Sequence, residues 1–144
     1  MTAYRIDLPY TSPPLSLNGG VPTSTGAMHQ KRRLIASVRR DGALLARRVR
    51  LPRNVDHATI QLHYRPRTRR HRDPINLTPT QKALVDGLRD FGLVPDDDPR
   101  FVTDLMPAIH PVEKGRPGAL WLTVTITDQS DLELADRFTR EEHR

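Results

Sequence analysis

Hydrophobic and polar positions alternate most cleanly over residues 57–65. Ala58, Ile60, Leu62 and Tyr64 fall on one side, and Thr59, Gln61, His63 and Arg65 on the other. A two-residue period of this length predicts a strand buried on one face. Residues 119–127 repeat the pattern, with Leu120, Leu122, Val124 and Ile126 against Trp121, Thr123, Thr125 and Thr127. Residues 4–8 and 100–106 predict two further strands. Residues 27–50 follow helical spacing instead, through Leu34, Ile35, Val38, Leu44, Leu45 and Val49, and Asp41-Gly42 is expected to break or kink that helix. A second helix is expected to begin with Thr78 as N-cap, Pro79 at the first helical position and Gln81 closing a capping box. Leu84, Val85 and Leu88 form its apolar stripe, and Gly92 is its stop. Residues 9–26, with four prolines and three glycines, read as a loop, and residues 95–99 as an acidic turn bounded by prolines. The order strand, loop, helix, strand, helix, strand, strand predicts one α+β domain over residues 1–127, a small mixed or antiparallel sheet with helices packed on it. Residues 128–144 form a charged tail for which a short helix and disorder are both open.

Composition narrows the function classes. At 144 residues the chain fits a single ordinary domain that folds without staples. It has no cysteine, which excludes disulfides, thiolate metal sites and cysteine nucleophiles. No apolar run approaches the ~18 residues of a membrane span, and the first residues lack the basic and apolar regions of a signal peptide. A soluble cytoplasmic protein with no membrane partner is the expectation. The net charge of +6 is unevenly spread: residues 31–72 hold 14 basic and 2 acidic residues, and the other 102 hold 9 basic and 15 acidic. A local +12 on a body of −6 is the footprint of a polyanion binder. Twenty of the 23 basic residues are arginine, which suits bidentate phosphate contact. Codon bias accounts for much of that ratio but not for the clustering.

Candidate chemistry gathers at three places. Arg65, Arg67, Arg69, Arg70 and Arg72 lead into Asp73, Lys82 lies about a turn into the second helix, and Asp96, Asp97 and Asp98 follow its end. A helix over residues 79–91 is ~18–20 Å long, so the acidic turn meets Asp73 only if the chain folds back. If it does, carboxylates and water hold Mg²⁺. Such an ion activates water beside a scissile phosphate, a lysine stabilises the transition state, and arginines grip the backbone. Each feature also has a plainer reading. Asp73 before Pro74 is good turn chemistry, Lys82 and Asp86 suit a surface i,i+4 pair, and runs of like charge are commonly solvated. His71 beside Asp73 is weak evidence alone. The histidines lack HExxH spacing, and GxxxxGK[ST], GxGxxG and GxSxG are absent, so zinc, nucleotide-cofactor and serine-hydrolase chemistry find no support. Tyr4, Tyr10 and Tyr64 are too scattered for a single-strand stacking platform.

The segments Arg72-Asp73-Pro74-Ile75-Asn76-Leu77, Gln81-Lys82-Ala83-Leu84-Val85-Asp86-Gly87-Leu88 and Gly92-Leu93-Val94-Pro95-Asp96-Asp97 resemble the RusA-like family of Holliday junction resolvases. Leu8-Pro9, Pro13-Pro14 and Asn18 resemble its opening strand and proline-rich loop, and the likeness spans roughly residues 4–127. It implies a RusA-like fold, a C2 homodimer and Mg²⁺-dependent cleavage of branched DNA (four-way junctions) in recombination and repair, with Mn²⁺ as a substitute ion. A bacterial cell or a phage suits such a protein. Asp73 matches the first metal-binding aspartate and Lys82 the catalytic lysine. Asp97 matches the later aspartate with Asp96 beside it, and Asp98 leaves that register open by one position. Arg65, Arg67, Arg69, Arg70, Arg72 and Asn76 would contact DNA. Ile75 stands where the family has a second metal-binding aspartate, and isoleucine cannot ligate a metal. Two other functions therefore stay open: a branched-DNA-binding protein that has lost cleavage, and a protein-interaction role on the same scaffold.

Overall fold

The computed structural model describes residues 1–96 and 98–143, with 19, 129 and 132 entering by their backbone alone. Five strands form one mixed sheet: β1 (Thr2–Asp7), β2 (His57–Arg65), β3 (Val102–Asp104), β4 (Ala108–Ile109) and β5 (Ala119–Thr127). β5 lies antiparallel between β1 and β2, and β3 and β4 both run parallel to the outer side of β2. With three α-helices, α1 (Thr25–Arg48), α2 (Thr78–Phe91) and α3 (Gln129–Glu142), the chain is a single-domain α+β fold. None of these helices is long and apolar enough to cross a membrane, among the described residues.

The alternation in β2 and β5 sets the layers. Ala58, Ile60, Leu62, Leu122 and Val124 are fully buried, and they meet Leu84, Val85 and Leu88 of α2 in the core. The other face of the sheet carries His57, Thr59, Gln61, His63 and Arg65, all half-buried. The expected strand at residues 100–106 is shorter, Val102–Asp104, and β4 at Ala108–Ile109 is a further short strand beyond the expected bounds. Pro107, which has no N–H to donate, separates β3 from β4.

α1 is continuous through Asp41 and Gly42, which corrects the expected break. Gly42 serves a helix crossing instead. A Cβ there would lie 2.7 Å from the Leu84 carbonyl oxygen, and one at Gly87 would lie 2.1 Å from the Arg39 carbonyl oxygen. The glycines let α1 and α2 approach backbone to backbone, a gain that outweighs the low helix propensity of Gly42. Residues 25–36 of α1 are exposed throughout, including Lys31, Arg32 and Arg33.

The start of α2 also differs. Thr78 is already helical (φ −61°, ψ −36°) because a 3₁₀ turn, Pro74–Leu77, runs straight into the helix. Its hydroxyl donates to the Ile75 carbonyl (2.7 Å), and Gln81 points into the core, so no capping box forms. Gln81 accepts from the Leu62 N–H (2.8 Å) and donates to the Leu105 carbonyl (2.8 Å), joining α2 to β2 and to the segment after β3. The stop at Gly92 is as expected, with φ +95°. The charged tail resolves as α3, whose N-cap Asp128 and Asp131 form a capping box.

Candidate nucleic-acid interface

The basic segment leaves β2 at Arg65 and crosses one end of the sheet before α2 starts. Asp73 caps the 3₁₀ turn, one carboxylate oxygen accepting from the Ile75 N–H (3.1 Å). Across from it lies the proline-rich loop of residues 9–20. Thr80, fully buried, holds that loop: its hydroxyl donates to the Leu15 carbonyl (2.7 Å) and accepts from the Leu15 N–H (3.1 Å). Tyr10 donates to the Asp41 carboxylate and ties the loop's start to α1. Between loop and basic segment opens a cavity of about 710 Å³. Ser12, Pro13, Ser16 and Asn18 line it from the loop, and Arg70, His71, Arg72, Asp73, Asn76 and Leu77 from the basic segment and 3₁₀ turn. Tyr64 and Ile109 close it at the ends of β2 and β4. A second groove, about 520 Å³, continues past Arg69 and Arg70 to His110 and Val112.

The arginines have divided roles. Arg67, Arg69 and Arg70 are exposed and make no ion pair among the described residues. Arg72 folds back on its own loop, donating to the Thr68 carbonyl (2.7 Å), with its guanidinium 5.8 Å from the Tyr64 ring centre. Arg65 is only 13% exposed, and faces Glu113 at 3.7 Å. Its place is structural, since a guanidinium so enclosed has little surface left for a phosphate. Asn76 lines the cavity with Asp73.

The acidic turn lies elsewhere. The Asp98 carbonyl accepts from Phe101 N–H, and the Phe101 carbonyl accepts from Ala58 N–H, at the first residues of β2. Asp73 shares its cavity with Tyr64, six residues further along that strand, or about 20 Å at the rise of a β-strand. α2 runs back along the same length, from Gln81 beside Leu62 to Gly92 and Leu93, which accept from Asn54 and Val55. Within one chain, then, Asp73 stands at one end of the domain and Asp96 and Asp98 at the other. Asp98 is committed locally: its carboxylate accepts from the Arg100 backbone N–H (2.9 Å) and side chain (3.0 Å), and the Arg100 guanidinium holds its carboxyl below the usual range. Asp97 lies outside the described residues. Among the described residues, no three His, Asp or Glu side chains gather as a metal-holding group.

Lys82 is 77% exposed and pairs with Asp86 at 3.4 Å, the i,i+4 arrangement. It lines a smaller cleft of about 260 Å³ with Asp86, Arg89 and Asp104 rather than the Asp73 cavity. Desolvation in that cleft pushes the Asp104 carboxyl up, against the pull of Arg89.

The periodicity left two groups unseen. Ser12, Ser16 and Asn18 come to the cavity through Thr80, 65 residues from Leu15, and no local signal announces that contact. On the open sheet face His63 stacks on Trp121 (5.4 Å between ring centres, 3° between planes), and Arg5 lies 4.4 Å from the Trp121 ring centre. His63 Nδ1 is 2.9 Å from His110 Nε2. Burial first, and then His110 and Arg5, push the His63 pKa down. The alternation of β2 and β5 puts His63 and Trp121 on one face, while His110 comes from the segment after β4.

Neither a protein-family model nor a curated protein matches this chain.

Proposed function

We propose that this protein is a Mg²⁺-dependent endonuclease acting on branched DNA as a homodimer, in the manner of the RusA-like resolvases its central segment resembles. The observation that carries the reading is the unspent charge at one end of the domain. Arg70 lines the cavity that Asp73 and Asn76 share, Arg69 and Arg70 line the adjoining groove, Arg67 lines a further cleft beside Gly115 and Pro117, and none of the three makes an ion pair among the described residues. Guanidinium groups left unpaired over a concave site suit phosphodiester backbone, and recognition by backbone charge and shape suits a branched substrate better than a fixed sequence.

Asp73 keeps one carboxylate oxygen clear of its turn bond and brings the right donor type for Mg²⁺. A single chain does not bring the acidic turn to it. A cation site using both must be built by two copies, each giving its Asp73 end to the other's acidic turn, and a two-fold dimer makes two such sites. The ion, when bound, supplies positive charge and an activated water at the scissile phosphate. The chain's own residues do the rest: Arg67, Arg69 and Arg70 hold flanking phosphates, and Asp73 fixes the position of the ion. Within its own chain Lys82 faces Asp86 and Asp104, so its part in the reaction also belongs to the dimer.

Ile75 favours a second reading, binding without cleavage. It is 47% exposed beside Asp73 and offers no ligand atom. A gel assay separates the two. A labelled four-way junction and a matched duplex are incubated with Mg²⁺, Mn²⁺ or EDTA, beside Asp73→Asn. Paired symmetric nicks that need metal and Asp73 support the nuclease. A retarded junction band without nicks in either metal supports the binding protein. No retarded junction in any lane removes both.

A further inference from the structure

We infer that the 710 Å³ cavity takes one unpaired nucleotide of the bound strand, with its base read by Tyr64, Asn18 and Asn76. This deepens the DNA reading above and rests on it. Tyr64 is 6% exposed and lines the cavity, yet its hydroxyl has no hydrogen-bond partner among the described residues. The enclosed side-chain polar atoms without a partner among the described residues are Arg65 Nε and Arg89 Nε, so the Tyr64 hydroxyl is not sealed off but opens to the cavity, where an incoming group can bond it.

The surroundings define that group. Asn18 and Asn76 bring side-chain amides from opposite walls, and neither amide is engaged among the described residues. An amide offers a donor and an acceptor side by side, the pattern that pairs with a base edge. Leu77 and Ile109 supply apolar wall for the face of a base, and Arg70 at the rim supplies charge for its phosphate. Apolar wall, paired donors and acceptors, and a cationic rim together match a nucleotide better than a bare phosphate or an apolar ligand. The volume lies within the range of small-molecule sites. In a duplex the pairing edges are hidden and the base is stacked. At a branch point the cost of unpairing is least, so a branched substrate is the form of DNA that can deliver a base here.

The test uses the full chain in EDTA, so that binding is observed without cutting. Four-way junctions carry 2-aminopurine at successive positions around the branch, with a matched duplex as control. The inference predicts a fluorescence rise at one position on junction binding, and none on the duplex. Among junctions that differ only at that base, Tyr64→Phe should reduce binding preference about five-fold, the equivalent of one neutral hydrogen bond, by weakening the preferred junction toward the affinity of the others. Asn18→Ala, at an exposed loop position, should reduce the same preference and keeps the test independent of folding. Junction binding with no fluorescence change at any position overturns the inference and leaves the DNA reading standing. So does a base preference unmoved in both variants. Failure to bind the junction at all overturns both.

Discussion

The two ends of α2 treat their charges differently. At the end where the helix stops, they are used up within the fold. Arg39 forks onto Asp90 with two bonds of 2.5 and 2.7 Å, Arg100 holds Asp98, and Arg53 donates to the Phe91 carbonyl. At the end where the helix starts, Arg67, Arg69 and Arg70 make no ion pairs among the described residues, and Asp73 opens to a cavity. Opposite charges were available in the same chain, so the difference lies in placement and not in supply. Charge satisfied internally serves the fold. Charge left open at a concave site is available to a partner, and the proposed DNA partner is anionic.

Substitutions at each end test the contrast. The largest effect is expected on DNA affinity. Replacing Arg67, Arg69 and Arg70 together by alanine should lower the slope of log affinity against log salt by about 2.7, from 0.9 per phosphate lost. Arg39→Ala with Arg100→Ala removes two charges from the closed end and should leave the slope unchanged. Equal slopes in the two variants would erase the distinction. A salt titration of junction binding reads both.

Next is the helix crossing that holds the two ends apart. Gly87→Ala sets a methyl against the Arg39 carbonyl, and overpacking of this kind costs about 1–3 kcal/mol. Denaturant melts should show the loss. An unchanged midpoint would mean that the crossing is looser than described.

The Arg39–Asp90 pair is half exposed on both sides, and Asp90→Ala should cost only about 0.2–1 kcal/mol, less in high salt. Its hydrogen bonds to Arg39 lower the Asp90 pKa. The stabilisation is therefore present above the unfolded carboxyl pKa of about 3.9 and is lost as pH falls through the lowered folded value. Acid titration of wild type against Asp90→Ala should diverge above that window and converge below it.

The smallest effect belongs to the open sheet face, away from both ends. The His63 pKa is pushed down by burial, so its neutral form favours the fold above about pH 6.5, the ordinary histidine value. Stability should fall as pH drops through the lowered folded value. Melting temperature measured between pH 5 and pH 8 should show this fall, flattened in His63→Gln. A variant with the wild-type pH profile would put the titration elsewhere.

Much of the fold was legible because its signals are local. The two-residue period of β2 and β5 assigned both faces of the sheet, and Gly92 ended α2 because its backbone needs positive φ. What misled were residues whose use is set by distant partners. Gly42 read as a helix breaker, but α2 needs its missing side chain. Gln81 read as a cap, but Leu62 and Leu105 draw it inward. Arg65 read as one of five equivalent arginines, but Glu113 lies against it. For the site, the spacing rightly warned that the acidic turn leaves the far end of α2. It could not tell that Thr80 draws the proline-rich loop over Asp73, since that contact joins residues 65 positions apart.

The central claim is that unspent charge at the start of α2 completes a nuclease site only with a second copy. Mixing two inactive proteins tests it most directly. One carries Asp73→Asn, the other Asp96→Asn with Asp97→Asn, and each is assayed on a labelled four-way junction in Mg²⁺ alone and after mixing. A site built between copies predicts that each variant is silent alone and that nicking returns on mixing, because one site of every mixed dimer holds all its native carboxylates. A wild type that nicks the junction while the mixture stays silent would contradict it.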